Sequence, residues 1–117
     1  MIISKISDPR NKVITYYESV NSHILDGHNE LIDFLPQLPI DVILNPDWIR
    51  EGRTDNTEMY FKIDSIDGCT FSGTIVTTKD IFKEGELQET IITTAFTGKD
   101  KTNSKIKWSK TKGNIEL

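Results

Sequence analysis

The groups in this 117-residue chain that can move protons, attack carbonyls or hold metals are two histidines, one cysteine and a scatter of carboxylates. His23 and His28 are five residues apart, which on an uninterrupted helix sets them about 140° apart. They can meet around an ion, with Asp26, Glu30 and Asp33, only if Gly27 breaks the helix between them. That spacing matches no zinc pattern, and an exposed polar turn accounts for the same residues. Cys69 follows Asp67-Gly68 and has no base or cation beside it to lower its pKa, so it reads as an inert thiol at a strand start. Of the carboxylates Asp64, Asp67, Glu84, Glu86 and Glu89, Glu84 and Glu86 flank a turn glycine and are expected to be solvated, and no pair stands out as buried. Gly98-Lys99 has neither the upstream glycine nor the Ser/Thr of a phosphate-binding loop. The expectation is that there is no catalytic residue, no metal site and no cofactor.

Recognition residues are better represented. Tryptophan, tyrosine and arginine dominate binding hot spots, and NPDWIREGR places Trp48 beside Arg50 and Arg53. An alternative role for Trp48 is to plug one end of a sheet. Between 99 and 112, six lysines accompany one acid, and Lys105 and Lys107 alternate with Ile106 and Trp108. That pattern serves either an anionic partner or an edge strand, where lysine blocks sheet-to-sheet association. The expected binding residues are Trp48, Arg50, Arg53, Lys105, Lys107 and Trp108.

Positioning these groups falls to two kinds of segment. Up to residue 55, apolar residues recur at helical spacing; from 56 to 117 they alternate and threonine becomes frequent. Asp8-Pro9 reads as an N-cap and first helical residue, followed by Val13, Tyr17, Val20 and Ile24 on one helical stripe that Asp26-Gly27 stops. The β-branched run VITYY also fits a strand, so 9–25 is open between helix and strand. A short helix from His28 to Leu35 is expected to end at Pro36 and Pro39. Val42 to Leu44 fits a short strand or a helical turn. Asn45-Pro46 begins a single turn closed by Gly52, and 53–56 form a loop.

From Thr57 the chain reads as an antiparallel meander. Strands are expected over 57–66, 70–83, 86–97, 104–110 and 114–117, with turns at Asp67-Gly68, Glu84-Gly85 and Lys112-Gly113. A G1 bulge at Gly68 puts Met59, Phe61 and Ile63 on one face with Phe71, Gly73 and Ile75, and a one-residue slip would reverse them all. A two-residue turn at Glu84-Gly85 then adds Ile92 and Phe96, and Ile106 and Trp108 can complete the set. The expected core face is Met59, Phe61, Ile63, Phe71, Ile75, Ile92 and Phe96, covered by the first helix. The other face keeps Tyr60, Val76, Phe82, Leu87 and Ile91, enough apolar surface to need the 36–52 segment, barrel closure or a partner.

The fold class is therefore α+β in a single domain over 1–117, with N-terminal helices on a C-terminal antiparallel meander of about five strands. A small calycin-like antiparallel barrel is the alternative. TFSGTIV, TAFTGKD and SKIKWSK resemble the glycine-punctuated strands of avidin- and lipocalin-like barrels over 57–117, although the G-x-W of lipocalins is missing. That resemblance implies a barrel and transfers no binding residue.

A net charge of −4 and pI near 5.1 count against indiscriminate nucleic-acid binding. No stretch is long and apolar enough to span a membrane. One cysteine excludes an intramolecular disulfide, and the chain is expected in the cytoplasm. The expected function is non-enzymatic binding of another protein, of the inhibitor, immunity or adaptor type. Ten acids in 1–58 against five cations suit a basic partner. The alternative is a small ligand held in an apolar cavity of a barrel or cupped sheet.

Overall fold

A computed structural model describes residues 1–63, 73–98 and 103–115. Eight strands form one open, mostly antiparallel sheet: β1 (Ile2–Ser7), β2 (Val13–Tyr17), β3 (Trp48–Glu51), β4 (Thr57–Ile63), β5 (Gly73–Lys83), β6 (Glu86–Gly98), β7 (Ile106–Ser109) and β8 (Gly113–Asn114). Their order is β1-β2-β6-β5-β4-β3-β7-β8. Helices α1 (Glu18–Gly27) and α2 (Gln37–Leu44) flank a 3-10 turn at Asn29–Phe34. The class is α+β as expected, but three of the strands lie before residue 55, so five strands was too few.

The first correction falls on 9–25. Residues 8–12 are the turn of a β1–β2 hairpin, and VITYY is strand β2, the reading its β-branched and aromatic residues favour. Helix begins only at Glu18. Of the expected stripe, Ile24 is buried and Val20 packs on the core, whereas Val13 is exposed. The second correction falls on the prolines. The short helix expected from His28 to Leu35 is the 3-10 turn Asn29–Phe34, and it does stop before Pro36 with Leu35 extended, but the prolines also begin a helix: Pro36 is the N-cap of α2 and Pro39 its third residue, where the missing N–H has no carbonyl four residues back. The third is Trp48–Glu51, which pairs as strand β3 rather than forming a turn.

Topology decides which side of the sheet is covered. β2 lies along β6 as the only parallel pair among the described residues, with Thr15 opposite Ile91. The chain then crosses through α1, the 3-10 turn and α2 to enter β3 on the far side of β4. This crossing buries Ile14, Tyr16, Ile24, Leu31, Leu38, Val42, Ile43, Ile49, Tyr60, Val76, Ile92 and Ala95 in one cluster. The helices therefore cover the Tyr60–Val76 side, with α2 supplying the 36–52 cover, and not the Met59–Phe61 side expected for them. Trp108, opposite Ile49, packs on this cluster as well.

The β4–β5 register is the expected one, with Phe61 opposite Ile75 and Ile63 opposite Gly73. Phe71 and the Asp67-Gly68 turn lie outside the described residues. At Glu84-Gly85 the turn has two residues, with φ of 54° and 80°, the left-handed pair of a type I′ hairpin. Two bulges follow it. Ile81 faces Glu89 while Phe82 faces Leu87, and Thr77 faces Thr94 while Thr78 faces Ile92. The second leaves Thr93 as an extra residue and returns Phe96 to the Ile75 side while Ile92 joins the helical core. Ile92 and Phe96 thus lie on opposite faces.

Ile92→Ala should cost about 2–5 kcal/mol, because it empties a fully buried site beneath the helices. Leu87→Ala, at a half-exposed hairpin position, should stay within about 0.5 kcal/mol. Urea unfolding of both variants reads the difference.

Candidate functional site

The most concentrated chemistry is an ionic cluster that no spacing in the sequence announces. Asp8 sits at the first position of the β1–β2 turn with no side-chain exposure. Its Oδ1 accepts the backbone N–H of Arg10 at 2.8 Å and of Lys12 at 3.0 Å. Its Oδ2 accepts Arg10 Nε at 3.0 Å, Arg10 Nη2 at 2.8 Å and the Tyr60 hydroxyl at 2.7 Å. The residue that reads as a helix cap organises a hairpin turn by the same means, a carboxylate accepting local N–H groups.

Arg10 then reaches across to β4. Nη1 and Nη2 donate to the two oxygens of Glu58 at 2.9 and 2.8 Å, a forked pairing suited to guanidinium and carboxylate. Glu58, with 4% of its side chain exposed, also meets Lys12 Nζ at 3.0 Å and Lys107 Nζ at 2.9 Å. Lys12 bridges on to Asp80 at 2.9 Å, and the Thr90 hydroxyl donates to Asp80 at 2.7 Å. Three acids and three cations balance. Burial opposes ionisation of Glu58, but the hydrogen bond and charge of Arg10, with Lys107 and Lys12, outweigh it and hold the carboxyl at about 2. Burial and the neighbouring Asp8 push the Tyr60 hydroxyl well above its ordinary range. An acid held ionised and a phenol held protonated are fixed in place rather than poised to exchange protons near neutrality.

The opposite side of the sheet offers a different surface. Trp48 stacks on its cross-strand neighbour Phe61 with ring centroids 4.7 Å apart, and Met59, Phe61 and Ile75 form a second apolar cluster with Trp48 and Phe96. Beside it lies an open-sided cleft of about 270 Å³ lined by Thr57, Met59, Thr77, Thr93 and Phe96 from the strands and by Gly52, Arg53 and Thr54 from the β3–β4 loop. The loop closes tightly: Gly52 N–H donates to Thr57 O at 2.8 Å, and Thr57 Oγ1 donates to Thr54 O at 2.6 Å. A Cβ on Gly52 would fall inside the Thr57 side chain, so the glycine sets the cleft wall. Thr77 and Thr93 hydroxyls pair at 2.6 Å, possible because the bulge aims both the same way.

The six expected binding residues are divided by this geometry. Trp48 and Arg50 share the open side with Met59, and Arg53 is exposed at the cleft. Arg50 donates to Ser104 O at 2.6 Å, tying β3 to the segment before β7. Lys107 belongs to the ionic cluster, because the bulge between the Ile49–Trp108 and Arg50–Ile106 pairs turns it toward Glu58. Trp108 packs on the helical core, and Lys105 is exposed, its carbonyl accepting Glu51 N–H at 2.9 Å. The lysine-rich strand therefore joins no patch with Trp48.

His23 is exposed, while His28 approaches Glu30 at 3.5 Å and stacks on Phe96 with centroids 6.0 Å apart. Among the described residues no group of three or more His, Cys, Asp or Glu side chains converges to hold a metal. Cys69, Asp64, Asp67 and Lys99 lie outside the described residues. Sequence reasoning placed Met59 and Phe96 on one face but missed the cleft, whose Thr93 wall depends on a bulge. It also missed the cluster, whose members are up to about a hundred residues apart. No helix among the described residues is long and apolar enough to cross a membrane. Comparison with protein-family models, with curated proteins and with solved structures finds no match to this chain.

Glu58 is more acidic in the folded chain than the ordinary 4.5, so its stabilising contribution is present above that pH and lost as pH falls toward 2. Glu58→Gln should cost about 3 kcal/mol at pH 7 by stranding buried cations. The gap to the parent should shrink between pH 4.5 and 2. Urea denaturation at pH 7, 4 and 2.5 measures both.

Proposed function

We propose that this chain is a non-enzymatic binding protein whose target is another protein, engaged through the open side of the sheet. The observation that carries the reading is the apolar and aromatic surface of Trp48, Met59, Phe61 and Phe96, with its cleft and the exposed Arg53, on the side that the helical crossing leaves uncovered. Aromatic and arginine side chains around a concave apolar centre are what interface hot spots are made of. The densest group of acids and bases supports the same reading, since its charges are committed to one another in clamping the β1–β2 turn to the sheet. A chain of net charge −4 that binds in the cytoplasm without nucleic acid or membrane fits this role. Small-ligand binding draws its support from the same cleft. Its volume of about 270 Å³ and open side fall short of the roughly 300–1,000 Å³ concavities that enclose whole ligands.

The test is capture from the native lysate followed by reconstitution of the purified pair. The parent chain should retain one dominant protein in a defined stoichiometric complex. Phe96→Asp and Arg53→Glu should each weaken that complex at least about tenfold, the size of a hot-spot loss. Calorimetric affinities unchanged by both substitutions would remove the open side as the docking surface.

A further inference from the structure

We infer that the cleft beside Met59 is the anchor pocket of this docking surface, and that it takes one large apolar side chain of a protein partner with a carboxylate next to it. The inference rests on the partner-binding reading above and adds the chemistry recognised.

Size sets the first half. A cavity of roughly 150 Å³ holds a benzene ring, so about 270 Å³ accommodates an aromatic or branched aliphatic side chain with part of its backbone. The walls agree. Met59 and Phe96 are apolar, and the hydroxyls around them are satisfied internally. Thr57 donates to Thr54 O, and Thr93 pairs with Thr77 and reaches Thr77 O at 3.2 Å. With their oxygens so engaged, the threonines have methyls rather than free donors to offer an entering group.

Charge sets the second half. The lining holds two ionisable groups, Glu58 and Arg53. Glu58 is neutralised by Arg10, Lys12 and Lys107 from the covered side. Arg53 is exposed and makes no salt bridge among the described residues. The cleft is therefore apolar within, with the Arg53 guanidinium at its mouth, on a chain that is acidic overall. A guanidinium in that position selects a carboxylate, which it can meet through a planar fork.

The probe is N-acetyl-phenylalanine, titrated as the free acid and as the amide into the full 15N-labelled chain. The acid should bind in the millimolar range, move the amide signals of Arg53, Thr57, Thr77, Thr93 and Phe96, and bind about two- to fivefold tighter than the amide, the scale of an exposed ion pair. Arg53→Gln should equalise acid and amide while leaving the melting temperature unchanged. Thr93→Phe, which fills the cleft, should abolish both. Equal affinity of acid and amide for the parent, shifts that map elsewhere, or no binding up to the solubility limit each overturn the inference. Should Thr93→Phe fail to fold, Arg53→Gln decides alone, since its side chain is exposed. Where the probe fails but Phe96→Asp still weakens the reconstituted complex, the docking surface stands and the anchor chemistry falls. Where neither has an effect, both fall.

Discussion

The carboxylate of Asp8 lies out of contact with water with five donors directed at it, and the rest of the architecture is arranged around keeping them there. A buried carboxylate without partners is too costly to survive in a domain of this size. Four of those donors come from the hairpin turn and the Arg10 side chain, so they travel with Asp8. The Tyr60 hydroxyl comes from β4, and so does the Glu58 carboxylate on which Arg10 closes. Satisfying Asp8 therefore means bringing the N-terminal hairpin over the middle of the sheet, not merely to its edge. Lys12 and Lys107 extend the same balance to β5 and β7. From the β1–β2 turn the network reaches β4, β5, β6 and β7 and gives one arrangement in which every charge is paired. Buried ion pairs contribute little to net stability but penalise alternatives strongly.

That placement has a consequence for the polypeptide's route. With β2 beside β6 and β3 beyond β4, the linking segment has to cross the sheet, and it crosses on the side where Tyr60 and Val76 point. The crossing supplies Leu31, Leu38, Val42 and Ile43 to the core. It leaves the other side with a small apolar cluster, an open cleft and, among the described residues, no helix over it. The two faces are thus unequal because one chain crossing can cover one face only. A surface left uncovered while carrying Trp48 stacked on Phe61 is the kind on which a partner can gain apolar burial without unfolding anything.

The bulge at Thr93 links packing to recognition. It adds one residue to β6, so the side chains on either side of it serve different faces: Ile92 goes under the helices and Phe96 goes to the cleft. The same extra residue sets the Thr93 hydroxyl against Thr77 and gives the cleft its wall. Bulges re-aim side chains where a regular ladder cannot, and here a single insertion lets one strand complete both the core and the proposed binding surface.

By itself the sequence determined what local physics controls. The two-residue turn at Glu84-Gly85, the β4–β5 register, the loop at 53–56 and the α+β class follow from turn chemistry and from alternation between neighbours, and they are present in the fold. The open-side grouping of Met59, Phe61 and Ile75 follows from the same alternation, whereas Phe96 joins them through the bulges in the β5–β6 pairing. What the tertiary structure alone decided is which side the helices cover, whether VITYY is helix or strand, and how Lys107 and Trp108 part from Trp48. Each turns on partners far along the chain: Val13–Tyr17 is a strand because β1 and β6 offer it edges, and Lys107 turns inward because Glu58 is buried nearby. Propensity and spacing are short-range quantities, whereas burial of a charge or the slip of one strand residue is settled by contacts tens of residues away.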